Sequence, residues 1–221
     1  MAPPIRTVIL DFDGVLAESN DEKTQAFADL FTRYPQYAET MMDYHITNGS
    51  ISRLHKFEYF ADRLFGRPGD QNLIEEMMTG YSELVERRIS ACPEVPGAMD
   101  FLREFSKKVP LYISSQTPQE ELHRIAETRG VARYVRKIYG YPPIRKNEAI
   151  HRALTSEGVR PEEGLFVGDT MSDFEIARQC GLEFIGRDSG LWPEGFSIKL
   201  YHDMYEIGTA LQSRLEMNLD Q

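Results

Sequence analysis

Hydrophobic residues along the chain fall into two kinds of pattern. Short runs of apolar and β-branched residues predict strands that are buried on both faces, as in a parallel sheet. The runs are residues 5–10, 109–113, 135–139, 164–167 and 182–186. Between the later runs lie amphipathic stretches of about 10 to 15 residues, which predict helices. This alternation is typical of βαβ units, so we predict an α/β fold with a doubly wound parallel sheet.

A different pattern occupies residues 18–91. It contains no strand-like run, and its apolar residues recur at helical spacing. One stripe comprises Ile51, Leu54, Phe57, Phe60 and Leu64, and a second comprises Leu73, Ile74, Met77, Met78, Tyr81, Leu84 and Val85. We interpret both stripes as buried core. The pattern therefore predicts a helical domain at 18–91, inserted after the first strand into a second domain formed by residues 1–17 and 92–221.

Two helix starts directly follow predicted strands. Thr117 precedes Pro118, and Glu120 stands three residues after Thr117. This arrangement predicts a capping box with proline at the first helical position. Ser172 and Glu175 have the same spacing and predict a second capping box. Each predicted helix thus begins at the carboxyl edge of the sheet.

Composition and charge narrow the classes of partner. The 221 residues, 41% of them hydrophobic, are enough for one sizeable core and a smaller attached domain. The formal net charge of −10 argues against nucleic acid or an anionic membrane as the main partner, because both favour clustered Lys and Arg. No apolar stretch approaches the roughly 18 residues of a spanning helix, and the N-terminus lacks a signal-peptide pattern, which predicts a cytoplasmic protein. Cys92 and Cys180 have no CxxC spacing and are predicted to be buried.

Candidate chemistry is concentrated where predicted strands end. Ligands of doubly wound sheets bind beyond the carboxyl ends of the strands. The polar residues there are Asp11, Asp13, Ser114, Ser115, Lys146, Asp169 and Asp173. Four carboxylates in one pocket would repel one another, and a bound divalent cation removes that repulsion. Ligation by oxygen favours a hard ion such as Mg²⁺.

These residues lie in four short motifs. The motifs are ILDFDGVL (9–16), LYISSQ (111–116), IRKNEA (144–149) and FVGDTMSDFEIA (166–177). Their order and positions are similar to the four-motif signature of haloacid dehalogenase superfamily hydrolases. The resemblance implies a Rossmann-like catalytic core with a helical cap domain of the C1 type, as in phosphoglycolate phosphatases and β-phosphoglucomutases. It also implies a magnesium-dependent phosphatase that acts on a small soluble phosphomonoester.

The resemblance assigns a role to each carboxylate. Asp11 is expected to attack phosphorus and form an aspartyl-phosphate. Asp13 is expected to protonate the leaving oxygen and later to deprotonate the attacking water. Asp11, Asp169 and the backbone carbonyl of Asp13 are the expected Mg²⁺ ligands. Asp173 is expected behind them or turned toward Lys146, positioning rather than reacting.

The phosphoryl oxygens are expected to be held by Ser114, Ser115 and Lys146. Arg145 stands next to Lys146, and many relatives have proline at the position of Asn147. Which of the two cations faces the phosphate therefore stays open at the level of the sequence.

Substrate choice is expected to depend on the insert, because the sheet motifs contact only the phosphoryl group. Arg53 follows a turn at Gly49, close to a helix start with Ser50 or Ser52 as its cap. Its guanidinium can form paired hydrogen bonds to an anionic or hydroxylated substrate, and Arg53 is therefore the candidate specificity residue.

Two related chemistries compete with the phosphatase. A phosphosugar mutase of the β-phosphoglucomutase type would use the same motifs. A phosphonatase would need an insert lysine for a Schiff base, and Lys23 and Lys56 are present, although we place Lys56 on a solvated helix face. Carbon–halogen cleavage is disfavoured by Asp13, because dehalogenase-like relatives lack that second aspartate.

Overall fold

A parallel sheet forms the centre of the larger part of the protein, as described by a computed structural model of residues 3–48 and 51–216. Its strands are β1 (Thr7–Leu10), β2 (Leu111–Ser115), β3 (Lys137–Gly140), β4 (Gly164–Gly168), β5 (Glu183–Arg187) and β6 (Leu200–Tyr201). Their order is β3-β2-β1-β4-β5-β6, and every neighbouring pair is parallel. The predicted α/β fold is confirmed. The two-residue β6 was not predicted, since it is too short to produce a pattern.

Helices connect the strands, and the regular elements of the insert among the described residues are helical. The insert contains α1 (Asn20–Phe31), α2 (Ala38–Thr47), α3 (Arg53–Tyr59) and α4 (Gln71–Ala91), and α3 continues into a π-helical turn at Phe60–Leu64. The helices of the sheet region are α5 (Ala98–Phe105), α6 (Gln119–Thr128), α7 (Lys146–Glu157), α8 (Met171–Cys180) and α9 (Met204–Glu216). Among the described residues, those up to Glu18 and from Cys92 onward form one compact unit, and Ser19–Ala91 form another.

One face of the sheet is covered by α7. Ile9 of β1 is paired with Phe166 of β4, so their side chains stand next to each other on this face. Ala149, Ile150 and Ala153 of α7 belong to the same buried cluster. Burying a large apolar side chain contributes about 1.5–3 kcal/mol, and this contact fixes the first turn of α7 at the sheet edge.

The helical unit has an aromatic core. The ring of Phe27 lies 4.1 Å from that of Tyr81 and 5.8 Å from that of Phe57, measured between centroids. The two predicted stripes are buried here for the most part, but Leu54 is 42% exposed. The expectation that Lys56 is solvated is wrong, because only 2% of this residue is exposed.

Both predicted capping boxes differ from the structure. The N-terminal flanking residue of α6 is Pro118 rather than Thr117, and the hydroxyl of Thr117 donates to Asp13. The cap of α8 is Thr170, whose backbone is extended, and Asp173 closes the box from the third helical position. Ser172 already lies inside the helix. A hydroxyl residue and a carboxylate residue thus form a capping box, as predicted, but the pair is Thr170 and Asp173, two residues earlier than the predicted pair.

The start of α3 is capped by a serine. The Oγ of Ser52 accepts a hydrogen bond from the backbone N–H of His55 at 3.3 Å. The predicted turn at Gly49 and the alternative cap Ser50 lie outside the described residues.

Two further observations concern the hydropathy of the helices and the two cysteines. Within residues 3–48 and 51–216, no helix has the length and apolar character needed to cross a bilayer. Cys92 and Cys180 form no disulfide with another described residue, and both are buried as predicted.

Candidate active site

The buried ammonium of Lys146 contacts carboxylates from the first and the fourth motif at the carboxyl edge of the sheet. Nζ of Lys146 lies 2.8 Å from Oδ2 of Asp11 and 2.5 Å from Oδ1 of Asp173. Asp11 follows β1, Asp173 lies in the first turn of α8, and Lys146 is the first residue of α7. Three separate elements therefore deliver one ion-paired cluster.

The position of Lys146 needs these partners. A cation at the first residue of a helix faces the positive end of the helix dipole, and burial adds a desolvation cost. Burial lowers the pKa of the ammonium, but the carboxylates of Asp11 and Asp173 outweigh burial and hold the pKa of Lys146 above its ordinary value. The lysine is thus held in its charged form beside Asp11.

The carboxylate of Asp11 is fixed by two donors. Its Oδ1 accepts from the backbone N–H of Phe12 at 2.8 Å, and its Oδ2 faces Lys146. Its own backbone N–H donates to the carbonyl of Val167 at 2.9 Å, so β4 holds the main chain in place. Each of the two carboxylate oxygens of Asp11 therefore has a donor, and these contacts define the orientation of the carboxylate.

Electrostatics at Asp11 are dominated by burial. Burial raises the pKa of the carboxyl well above its ordinary value, although the Lys146 ammonium opposes the shift. Three further carboxylates add to the rise, and they are Asp173, Asp169 and Asp13. A single lysine does not offset this concentration of negative charge, so the site favours an additional cation.

Asp173 has a double structural role. Its Oδ2 accepts from the hydroxyl of Thr170 at 2.7 Å and from the Thr170 backbone N–H at 3.2 Å, while its Oδ1 faces Lys146. A Cβ at Gly168 would collide with this side chain, so the glycine at the end of β4 leaves the space that the Asp173 side chain occupies. Asp173 therefore ties the start of α8 to the lysine.

Three carboxylates have the arrangement of a metal site. Oxygens of Asp11, Asp169 and Asp173 all lie within 4.8 Å of one another, and the three residues are buried. Such an oxygen-only donor set suits a hard divalent cation. Asp173 holds Lys146 through Oδ1 and the Thr170 hydroxyl through Oδ2, and the sequence-based prediction names Asp11 and Asp169 as the ligating carboxylates. The predicted third ligand is the backbone carbonyl of Asp13. It is not one of these three carboxylates, and its role as a ligand stays a prediction.

The Asp13 side chain is held by two hydroxyls, one from the last residue of β2 and one from the loop that follows it. Ser115 Oγ donates to Asp13 Oδ2 at 3.1 Å, and Thr117 Oγ1 donates to the same oxygen at 3.2 Å. All three residues are buried. Ser115 was predicted to contact phosphate, and this stays a prediction; in the structure its hydroxyl donates to Asp13. Thr117 was missed, because its position before Pro118 was interpreted as a helix cap.

Ser114 differs from its neighbour. Only 1% of the residue is exposed, and its Oγ has no hydrogen-bond partner within the part of the chain that the structure describes. Leu10 of β1 is paired with Ile113 of β2, so the next residue on each strand path, Asp11 and Ser114, stands at the same level of the sheet. A buried hydroxyl without a partner is costly unless a ligand satisfies it, so Ser114 is suited to receive a polar ligand atom beside Asp11.

The two adjacent cations are clearly separated. Arg145 is exposed, and its guanidinium lies 5.5 Å from the centroid of the Tyr141 ring. Lys146 is buried and reaches the carboxylate of Asp11. The structure therefore brings Lys146, and not Arg145, to the cluster.

Arg187 supports the loop that contains Asp13. At the end of β5, its guanidinium forms a fork on Glu18, with Nη2 2.6 Å from Oε1 and Nη1 2.9 Å from Oε2. Nη1 also donates to the carbonyl of Gly14 at 3.2 Å. The sequence interpretation omitted Arg187. This residue directly follows the predicted strand 182–186, so the rule that selected the other strand-end polar residues could have found it.

The insert residues considered for substrate contact lie in the helical unit. Nη1 of Arg53 donates to Oγ of Ser82 at 3.2 Å, and the guanidinium lies 5.1 Å from the centroid of the Tyr81 ring. These contacts are within the unit and do not by themselves indicate a ligand.

A buried amine and an imidazole form a second pair in the helical unit. Nζ of Lys56 donates to Nδ1 of His45 at 3.0 Å and to its carbonyl at 3.3 Å. Burial lowers the pKa of Lys56. Burial, together with the Lys56 charge, lowers the pKa of His45 to about 4. The imidazole is therefore a neutral acceptor, and its Nε2 lies 3.5 Å from the hydroxyl of Thr24.

Comparison with known proteins gives a consistent picture. Residues 8–187 match the family model described as haloacid dehalogenase-like hydrolase. The chain is 25% identical over 195 residues to PpaX, a candidate pyrophosphatase of Clostridium perfringens, covering 82% of this chain and 83% of that protein. It is 22% identical over 193 residues to the phosphoglycolate phosphatase of Pseudomonas putida, covering 84% and 70% of the two chains.

Solved structures share the fold. A haloacid dehalogenase-like hydrolase from Streptococcus pneumoniae superposes with a TM-score of 0.70 at 22% identity, covering 94% of this chain and 99% of that chain. A candidate hydrolase of the same type, YfnB from Bacillus subtilis, was crystallised bound to magnesium. It superposes with a TM-score of 0.69 at 15% identity, covering 95% and 99% of the two chains.

Proposed function

The chain belongs to the haloacid dehalogenase-like hydrolases, and from that premise we propose that it is a magnesium-dependent phosphatase of a small phosphomonoester. The observation that supports this most directly is the buried cluster at the sheet edge. There Lys146 is ion-paired with Asp11, and the Ser114 hydroxyl beside it lacks a protein partner. An aligned carboxylate, a cation and a hydroxyl donor are the groups that transfer of a phosphoryl group needs.

In this proposal Asp11 is the nucleophile. A carboxylate oxygen of Asp11 attacks phosphorus, the bond from phosphorus to the leaving oxygen breaks, and an aspartyl-phosphate forms. Water then attacks phosphorus, which releases inorganic phosphate and restores the carboxylate. The covalent route divides one difficult displacement into two easier ones. The bonds from Phe12 N–H and Lys146 hold the carboxylate in one orientation for the attack.

Asp13 handles the protons in both steps. It gives a proton to the leaving oxygen in the first step and takes one from the attacking water in the second. Such acid–base help contributes typically about 10²–10⁴-fold. The hydroxyls of Ser115 and Thr117 hold its carboxylate.

Ser114 and Lys146 bind the phosphoryl oxygens. The Ser114 hydroxyl donates to one oxygen, which satisfies an otherwise unpaired buried group. Lys146 acts as a fixed positive charge, because Asp173 keeps its ammonium in place. A preorganised charge of this kind costs little reorganisation during the reaction.

The carboxylates Asp11 and Asp169, with the backbone carbonyl of Asp13, would hold Mg²⁺. The close approach of the carboxylate oxygens and the burial of the side chains support a hard cation here. When bound, the cation supplies positive charge that offsets the repulsion between the nucleophile and an anionic ester. Asp173 stabilises the arrangement through Lys146 and Thr170.

Specificity is assigned in this proposal to the helical unit, Ser19–Ala91, with Arg53 as the residue that recognises the organic part of the substrate. The four sheet motifs contact only the phosphoryl group, so another part of the chain has to distinguish esters. The names of the two relatives point to small, anionic phosphate compounds.

One observation favours a second candidate, a phosphonatase. That chemistry needs an insert amine that condenses with a carbonyl group, and Lys56 is buried with a lowered pKa. Borohydride reduction in the presence of phosphonoacetaldehyde would attach the substrate covalently to Lys56 if this candidate were correct.

A substrate screen tests the proposed function. The panel contains sugar phosphates, nucleotides, phosphoglycolate, pyrophosphate and p-nitrophenyl phosphate, each assayed with Mg²⁺ and with EDTA, and products of a hexose 1-phosphate are analysed for a mutase reaction. We expect release of phosphate from at least one small ester with Mg²⁺ only, and none from the Asp11→Asn variant. Equal turnover by wild type and Asp11→Asn would contradict the proposal.

A further inference from the structure

The loop after β2 carries a group that the four motifs do not include. Thr117 is 3% exposed, and its hydroxyl donates to Asp13 Oδ2. Its backbone N–H donates to Ser115 Oγ at 3.0 Å, so the Ser115 hydroxyl proton is left for Asp13. One carboxylate oxygen thus receives two donors that are also linked to each other.

The helix that follows begins after this threonine. The N-terminal flanking residue of α6 is Pro118, whose side chain has no hydrogen-bonding group. The Thr117 hydroxyl reaches Asp13, which is 104 residues away in the sequence. This contact links the loop before α6 to the carboxylate of Asp13.

The main chain of Thr117 is fixed from the side of β3. Its carbonyl accepts from the backbone N–H of Tyr141 at 3.1 Å, and a Cβ at Gly140 would come within 2.5 Å of that carbonyl. Gln119 holds β3 through both ends of its amide, with Nε2 2.9 Å from the carbonyl of Ile138 and Oε1 2.7 Å from the N–H of Gly140. The loop is therefore a rigid support rather than a free turn.

We propose that Thr117 is a positioning residue, which orients the Asp13 carboxylate for proton exchange with the leaving oxygen and the attacking water. The inference rests on the acid–base role of Asp13 in the proposed function. Two linked donors on one oxygen restrict the orientation of the carboxylate more tightly than the Ser115 hydroxyl alone. Loss of the Thr117 hydroxyl therefore weakens the proton transfer but leaves phosphate binding intact.

The test compares two esters of similar shape and different leaving groups, p-nitrophenyl phosphate and phenyl phosphate. Phenolate is the poorer leaving group and depends more on protonation. Values of kcat and KM are measured for wild type and for the Thr117→Val, Thr117→Ser and Asp13→Asn variants. Thr7→Val is the matched control, since Thr7 is also a buried threonine of the sheet unit, and its hydroxyl donates to the backbone carbonyl of Pro110.

We expect Thr117→Val to lower kcat/KM for phenyl phosphate about tenfold more than for p-nitrophenyl phosphate, a part of the full acid–base effect. KM should stay within about twofold, and Thr117→Ser should restore most of the loss because it restores the hydroxyl. Thr7→Val should lower both rates equally or not at all. If Thr117→Val does not fold, Ser115→Ala, which removes the other donor to the same oxygen, should show the same selective loss.

Two results would overturn the inference. If Asp13→Asn shows the selective loss and Thr117→Val or Ser115→Ala loses both activities equally, Thr117 does not position Asp13. If Asp13→Asn itself shows no selectivity, the acid–base role of Asp13 fails, and the inference that rests on it fails with it.

Discussion

Nζ of Lys146 lies 2.8 Å from Oδ2 of Asp11, and only 5% and 8% of the two side chains are exposed. The pair forms across two elements, the first turn of α7 and the end of β1. Removing one partner of such a buried pair leaves the other charge without compensation. Stability and catalysis should therefore both depend on this contact.

Replacing Lys146 by Met should destabilise the protein and abolish most activity. The variant keeps the length of the side chain but leaves the carboxylates of Asp11 and Asp173 unpaired, which we expect to cost about 3 kcal/mol of unfolding free energy. We expect kcat to fall about 10³-fold. Urea denaturation and steady-state kinetics measure the two effects, with Lys137→Met, at an exposed lysine of β3, as the control.

A double variant separates charge from packing. If unpaired charge causes the loss of stability, adding Asp173→Asn to Lys146→Met should recover part of it. A double variant that is less stable by the full sum of the single effects would contradict the electrostatic explanation.

Magnesium should stabilise the folded protein in proportion to its binding. At 100 times the dissociation constant, the gain is about 2.7 kcal/mol, seen as a rise in Tm. Asp169→Asn should remove most of this shift, because it removes one of the two carboxylates assigned as ligands. Asp43→Asn, at an exposed position of the helical unit, serves as the control. An unchanged magnesium response in Asp169→Asn would place the ion elsewhere.

His45 should make the protein sensitive to mild acid. Its pKa in the folded protein is about 4 against an ordinary value of 6.5, so between these values the unfolded chain binds a proton that the folded chain does not. Stability is therefore complete above pH 6.5 and is lost as pH falls toward 4. Because the ring is partly exposed, we expect a loss of about 1 kcal/mol between pH 7 and pH 5.

The contribution of His45 is isolated by comparison with a variant. His45→Gln keeps an acceptor for Lys56 and does not titrate, so its free energy of unfolding should fall less between pH 7 and pH 5 than that of wild type. His123→Gln, at an exposed histidine, should behave like wild type. Identical pH dependence of wild type and His45→Gln would contradict the prediction.

Arg53→Ala tests the specificity assignment. We expect KM for the best ester of the screen to rise about tenfold or its turnover to fall, and p-nitrophenyl phosphate to be much less affected, since it needs only the sheet motifs. Arg63→Ala is the control, because the side chain of Arg63 is 69% exposed. Equal losses on both esters would instead indicate that Arg53 supports the helical unit through Ser82 and Tyr81.

The sequence predicted the sheet and the residues at its edge well, and the reason is physical. Strands buried on both faces need unbroken apolar runs, and such runs are easily recognised. Because parallel strands end at one edge, the positions of Asp11, Ser114 and Asp169 follow from the topology. The short β6 has no such signal, since two residues are too few to produce a pattern.

Side-chain partners were harder to predict than positions. Thr117 fits a capping box by spacing, yet its hydroxyl bonds Asp13, which is 104 residues away. In the sequence, Lys56 has the pattern of an ordinary helix lysine. Its burial depends on His45 and Phe27 from other helices. Local patterns contain no information on such distant partners, so only the fold shows them.

The central claim is that the phosphoryl group passes through Asp11, and trapping it there is the most direct test. The Asp13→Asn variant, which should slow hydrolysis of the intermediate, is mixed with p-nitrophenyl phosphate and Mg²⁺ and then treated with hydroxylamine, which converts an acyl phosphate into a hydroxamate. Peptide mass spectrometry should find the hydroxamate on Asp11, in an amount that matches the initial burst of p-nitrophenol, and none in Asp11→Asn. A burst of p-nitrophenol with an unmodified Asp11 would contradict the account.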